Sequence, residues 1–255
     1  MTGPVVVPPA RRRRVGGVLT LAAVAAVPLA FLAVFVVLPV GGMLGRGLLG
    51  EGGLDLGGFV DVFGRTRTHR VLAFTFGMAA AATVITVLLG VPVAHLLYRT
   101  ATPGRRALRA LVTLPFVMPT VVVGVAFRSL LSASGPLGGL GLDGHWGAVL
   151  AAFVFFNLAV VVRTVGSTWQ DLDVRAEQSA AALGAGPWTV WRTVTLPALT
   201  PSILSAASVV FLFCATAFGV VLTLGGLQYG TVETEIYLLT TQLLDLRSAA
   251  ALSLV

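Results

Sequence analysis

Long apolar runs alternate with short polar stretches rich in glycine or arginine, and that alternation predicts the elements. The runs cover residues 15–40, 71–98, 110–131, 147–165 and 202–224, and another begins after Arg247. A helix rises ~1.5 Å per residue, so about 20 apolar residues cross a ~30 Å hydrocarbon core. The pattern therefore predicts five complete transmembrane helices plus the start of a sixth, because Ser248–Val255 is too short to span. On this reading the chain is truncated inside its sixth crossing. A cleaved signal peptide competes for the first run, but its apolar region is normally about 7–15 residues, so an uncleaved span is preferred. Residues 1–14, Pro-rich and ending in Arg11–Arg14, read as a disordered basic tail, and residues 15–255 as the transmembrane domain.

Within the third run, Pro115 and Pro119 remove backbone donors and predict a kinked or broken helix. Such a break is tolerated at membrane depth only where protein or water covers it, either as a packing bend or as a bend lining a path. Between the first and second runs, 41–68 reads as an external loop with a short surface helix near Phe59–Phe63. The stretch Gln228–Asp245 reads as amphipathic.

Composition sharpens this to a class. The chain is 56% hydrophobic and 11% charged, against about 25% charged in ordinary globular proteins. The apolar runs are continuous rather than alternating, which excludes a membrane β-barrel. The fold class is all-α, a polytopic membrane protein. All 17 basic residues are arginine, which excludes a P-loop ATPase and Schiff-base catalysis, since both need lysine. The net charge of +7 reads as topology rather than nucleic-acid binding. Eleven arginines fall on segments assigned inside (Arg11–Arg14, Arg99, Arg105, Arg106, Arg109, Arg163, Arg175, Arg192) and four on the first outer loop (Arg46, Arg65, Arg67, Arg70). That bias predicts a cytoplasmic N-terminus. Arg65–Arg70 run against it. Cys214 is alone, and His69, His95 and His145 are scattered, so neither a disulfide nor a metal or cofactor site is implied.

The inner loop between the fourth and fifth runs, 166–200, carries the candidate chemistry. Ala180–Leu183 favour a helix, Gly184 and Gly186 end it, and Pro187 suits the first turn of another. Trp188, Trp191 and Val194 are spaced three apart and share one face of that second helix. Leu196-Pro197 and Pro201 are expected to stop it. Two tryptophans on a short helix outside the bilayer need a covering surface or a membrane interface to rest on. Asp171, Asp173 and Glu177 read as solvating the loop or starting its first helix.

The stretch Gln178-Ser179-Ala180, three residues, Gly184, nine residues, Val194-Thr195-Leu196-Pro197 resembles the "EAA" loop of the permease subunits of bacterial ABC importers. Gln178 stands in the place of the motif's Glu, Ser179 in that of its first Ala, and Val194 in that of its Ile. Further pieces are similar to the N-terminal half of thiamine permeases and, less closely, ferric-iron permeases. These are Leu114-Pro115 with Met118-Pro119, Val154-Phe155-Phe156-Asn157, Ala217–Gly226 and Thr231–Tyr237. The resemblance implies an ABC importer type I permease-like fold in the bacterial inner membrane. It also implies a coupling loop in which Gln178, Ala180, Gly184, Gly186, Pro187, Trp188, Trp191, Val194, Leu196 and Pro197 meet a separate ATPase. Two ATPase copies, an extracytoplasmic solute-binding protein and a second permease half would complete the machine, and thiamine would be the solute, with ferric iron or another small solute as alternatives.

Asn157, Ser205, Ser208 and Thr216 are polar groups inside spans and candidates for the solute path, although such hydroxyls often bond to backbone or to a neighbouring helix. Two other classes compete with the importer. An ion-coupled secondary transporter usually carries ionisable groups deep in its spans, and here Arg128 and Arg163 fall near span ends. A membrane enzyme needs a nucleophile–base pair or a metal cluster, and the acids of the loop have no histidine near them.

Overall fold

The computed structural model describes residues 14–50, 53–54, 57–225 and 228–254. Of the expected basic tail, all but Arg14 lies outside these residues. The chain divides into two units, residues 1–59 with 245–255, and residues 60–244.

The first unit holds α1 (Arg14–Leu32), a wide π turn at Ala33–Val37, and α2 (Leu38–Leu48). A two-residue antiparallel ladder pairs Leu49 with Leu54 and Gly50 with Gly53. Ala23–Met43 is long and apolar enough to cross a membrane. Leu246–Leu252, at the other end of the chain, forms a short helix (α13 in the numbering used below) packed against α2. The expected external loop thus begins later than residue 41, since helix continues to Leu48.

A short helix, α3 (Gly57–Gly64), covers the surface helix expected near Phe59. The second unit is then built on three long helices. These are α4 (Thr66–Tyr98), α7 (Trp146–Asp171) and a rod formed by α9 (Pro187–Val190), a π turn at Trp191–Thr195 and α10 (Leu196–Ala215). They pack on one another along lines of small residues. Ala79, Ala82, Ala94, Ala152 and Ala206 are buried there with Val161, Val165 and Val210. At Gly90 a Cβ would come within 2.7 Å of Val161. Such close backbone approach is how helices associate where lipid removes the hydrophobic drive between them.

Between α4 and α7 lie α5 (Arg105–Val117) and α6 (Thr120–Leu131), which meet at an angle of 103°. The expected kink is therefore a full break. Met118 and Pro119 are extended, with ψ of 143° and 133°, so the helix stops and restarts across the Met-Pro pair. Pro115 is accommodated within the last turn of α5.

α8 (Val174–Ala182) precedes the rod, and α11 (Gly219–Leu224), α12 (Val232–Thr241) and α13 follow it. Among the described residues, four helices are long and apolar enough to cross a membrane, or five with the bent α5–α6 pair taken as one span.

Two sequence expectations need correction here. The helix starting at Pro187 does not stop at Leu196-Pro197 or Pro201 but runs on to Ala215. The π turn widens the backbone just before Pro197, a known means of absorbing a local misfit in a helix, and both prolines are exposed, clear of packed neighbours. The fifth span accordingly does not reach Leu224. It ends at Ala215, and Thr216–Phe218 separates it from the short α11.

α11 and α6 interlock through reciprocal glycine–threonine contacts. A Cβ on Gly124 would collide with the Thr223 hydroxyl, and one on Gly219 would stand 2.7 Å from the Thr120 hydroxyl.

Candidate coupling site and membrane cavity

The loop between α7 and the rod is ordered by caps that its sequence supplies. The Asp173 carboxylate accepts a hydrogen bond from the Arg175 N–H at 2.9 Å and starts α8. An oxygen-bearing side chain at this position satisfies a donor that the helix cannot. α8 ends at Gly184, whose φ of +88° only glycine adopts freely. The Ala185 N–H donates to the Ala180 carbonyl and the Gly184 N–H to that of Ala181, so the closing carbonyls are satisfied in Schellman fashion. Gly186 is different. Its φ of −68° is open to any residue, so only one of the two glycines is needed for the turn.

Glu177 is the hub of this loop. Its carboxylate accepts from Arg99 Nη2 at 2.7 Å and from the Thr195 hydroxyl at 2.9 Å. Arg99 follows the last turn of α4, and Thr195 is buried in the π turn of the rod. One side chain therefore ties α8 to the base of α4 and to the foot of α10. Sequence reasoning weighed Gln178 as the motif's acid and assigned Glu177 to solvation or helix initiation. The ionised group sits one residue earlier than the motif position, and Gln178 is exposed. Arg99, just past the end of the second span and on the same side as the loop, was the available signal.

The two tryptophans do not share a role. Trp191 is half-buried and packs 5.4 Å from Trp169 of α7, which in turn stands 4.9 Å from His95. Trp188 is 71% exposed and Leu183 90% exposed. They leave a large apolar surface at the tip of the loop, formed by one expected residue and one that the sequence reading missed. Of the others, Ala180 and Val194 are half-buried, Leu196 is partly covered, and Pro187 and Pro197 are exposed.

A cavity of about 560 Å³ lies where the broken spans meet. Its wall includes Phe116 before the Met118-Pro119 break, Phe156 and Asn157 of α7, and Phe213 and Thr216 at the end of α10. Phe116 stands 6.4 Å from Phe156 and 6.0 Å from Phe213. Asn157 is buried, and its amide nitrogen donates to the Phe153 carbonyl at 2.9 Å and approaches Cys214 Sγ at 3.4 Å. Of the four polar groups read from the sequence as path candidates, Asn157 and Thr216 share this cavity. Ser205 and Ser208 do not line it: both are exposed elsewhere on α10, and the Ser208 hydroxyl is held by the Leu204 carbonyl.

Fold and site together define a multi-pass helical membrane protein in which an exposed apolar tip is built onto a membrane-length rod beside a cavity. Residues 86–255 match the family described as binding-protein-dependent transport system inner membrane component, and the chain belongs to that family. It is thus a permease component of an ABC importer, and ATP hydrolysis belongs to a separate subunit of such systems. The chain is 38% identical over 199 residues to the molybdenum transport system permease protein ModB of Mycobacterium tuberculosis, covering 73% of this chain and 74% of that protein. It is 32% identical over 192 residues to the thiamine transport system permease protein ThiP of Haemophilus influenzae, covering 71% of this chain but 36% of that protein. The chain so spans little more than a third of the thiamine relative. The fold is shared with a bacterial ABC transporter involved in the import of the acidic polysaccharide alginate, at a TM-score of 0.78 and 18% identity, covering 94% and 90% of the two chains.

Proposed function

We propose that this chain forms the solute path of its importer and takes its work from a separate ATPase through residues 178–197. The observation that carries this is the continuity of Pro187–Ala215. A push on the exposed Trp188 tip would travel along one helical rod, through the π turn and past Pro197 and Pro201, to the cavity wall at Phe213 and at Thr216 just beyond the rod's end. Glu177 locks the neighbouring α8 to the same rod through Thr195 and to α4 through Arg99. ATP-driven closure of a pair of ATPase subunits would then shift the balance between inward- and outward-facing packings.

In this reading the N-terminus and the loop are cytoplasmic, supported by the arginine bias. Two ATPase copies grip the two loops of a pair of permease halves, and an extracytoplasmic binding protein delivers a small solute. Thiamine is the solute to which the sequence resemblance points. The name of the mycobacterial relative adds molybdenum, and ferric iron or another small solute moved by the same mechanism are the alternatives.

The test is uptake in cells that produce the chain with its ATPase and binding protein. Uptake should stop when ATP is depleted, persist when ion gradients are collapsed, and fall at least tenfold in Trp188→Ala at unchanged membrane level. Uptake that follows an ion gradient and ignores ATP would assign the chain to the secondary transporters instead.

A further inference from the structure

Arg163 is a charge inside a membrane-length helix with nothing to balance it. Read from the sequence as close to a span end, it lies well before the helix stops, because α7 continues to Asp171, about 12 Å further at ~1.5 Å per residue. The whole of α7 is long and apolar enough to cross a membrane. The Arg163 side chain is exposed, and it makes no hydrogen bond or ion pair among the described residues. A charge held at such depth is costly, and proteins that keep one turn it toward the bundle interior, a water-filled cavity or a solute path.

Arg163 lines a second cavity, of about 420 Å³, between α5 and α7. Phe116 belongs to the wall of this cavity and of the one at the broken spans, so the two adjoin. On α7, Phe156 of the first cavity and Val160, Arg163 and Ser167 of the second follow at helical spacing and share one face. The two cavities thus form a lane from the broken spans toward the Asp171 end of α7. Among the described residues, Arg163 is the one ionisable side chain in either wall. Thr113 and Ser167 give their hydroxyl protons to backbone carbonyls. The donors left in the second wall are the guanidinium, with its five N–H groups, and the Thr164 hydroxyl, which has no partner among the described residues. With no acid in the wall to neutralise Arg163, a cation in the lane meets repulsion that nothing offsets. An oxyanion meets a forked, charge-assisted donor.

We infer that Arg163 is the charge-selecting residue of the path, resting on the solute-path reading above, and that the solute is a small oxyanion. Molybdate, the oxyanion that molybdenum forms in neutral water, fits the lane. Thiamine, with its cationic thiazolium ring, and the ferric ion do not.

The experiment offers labelled molybdate, sulfate and thiamine in turn to cells that produce the full chain with its ATPase and binding protein. An oxyanion should be taken up and thiamine should not. Arg163→Gln should lower oxyanion uptake at least tenfold at unchanged membrane level, and Arg163→Lys should keep at least a third of it. Arg163→Cys separates charge from folding, because the same folded protein is read before and after labelling. An aminoethyl methanethiosulfonate, which puts a positive charge back, should raise uptake by this variant at least threefold. The sulfonatoethyl reagent, of similar length and opposite charge, should not. Wild type, whose Cys214 is buried, should respond to neither. Uptake of thiamine, uptake of neither oxyanion, wild-type uptake by Arg163→Gln, or equal effects of the two reagents would each overturn the charge selection. So would a loss of ATPase association in Arg163→Gln, which would make Arg163 an assembly contact. The coupling reading fails separately. If Trp188→Ala leaves ATP-driven uptake intact, coupling through the loop is wrong whatever the Arg163 variants do. If uptake falls in Trp188→Ala while the Arg163 variants behave as wild type, only the charge selection is wrong.

Discussion

Arg99 and Glu177 meet 2.7 Å apart, joining the end of α4 to α8 across 78 residues of sequence. Both side chains are largely shielded, at 17% and 24% exposure. The second carboxylate oxygen holds Thr195 in the π turn of the rod. Charge-assisted hydrogen bonds of this kind contribute about 1.5–3 kcal/mol each. Glu177→Gln removes the charge and keeps the shape. It is expected to lower stability by about 1–3 kcal/mol and to cut coupled uptake, whereas Gln178→Ala, one residue along and exposed, leaves stability near wild type. Thermal unfolding of the purified variants and uptake in cells check the pair. Equal stability of the two variants would remove Glu177 as the hub of the loop.

Trp188 and Trp191 separate binding from folding. Trp191 packs on Trp169, and truncating large core aromatics costs about 3–5 kcal/mol when they are fully buried. Half-buried as it is, Trp191→Ala should cost about 2–3 kcal/mol on that scale. Trp188→Ala touches no packed neighbour and should shift stability by less than about 0.5 kcal/mol while weakening ATPase binding at least tenfold. Thermal melts and pull-down with the ATPase measure the two effects independently.

Gly184 and Gly186 give an internal control for the turn. At φ +88°, an alanine at 184 pays about 1–2 kcal/mol for the left-handed conformation. At 186 the backbone is ordinary, and alanine should be neutral. Denaturation of Gly184→Ala beside Gly186→Ala tests this, and equal costs would contradict the Schellman assignment.

The α6–α11 interlock predicts a rescue. Gly124→Ala drives a methyl group into the Thr223 hydroxyl, and overpacking of this kind costs about 1–3 kcal/mol. Thr223→Ala on top of it should restore most of the loss. A double variant no better than the single one would show that the two half-helices do not meet there.

The helices could be read from the sequence because membrane spans announce themselves by unbroken apolar length, and the break at Met118-Pro119 announced itself by its prolines. What stayed hidden depends on long-range geometry. Pro197 and Pro201 are helix breakers by local rule, and only the π turn at Trp191–Thr195 shows how the rod absorbs them. The spacing of Trp188 and Trp191 placed them on one face, but no spacing rule reports that Trp169, 22 residues before Trp191, covers one and leaves the other bare. Glu177 lay beside a motif position and was passed over, because its partners at residues 99 and 195 are distant in sequence. Asn157 and Thr216 were legible as polar groups in spans. That they share a cavity while Ser205 and Ser208 do not is a matter of which face of α10 turns inward.

The most direct test of the central claim is a crosslink from the tip. Thr189→Cys sits beside Trp188 on the first turn of the rod, and a thiol-reactive crosslinker of short reach is applied to membranes holding the chain together with its ATPase. A permease–ATPase adduct that forms at position 189, and fails from a cysteine placed at Ser134 between α6 and α7, is the predicted result. Absence of the adduct at 189 with the ATPase present, or labelling of that cysteine by an impermeant reagent from outside intact cells, would contradict it.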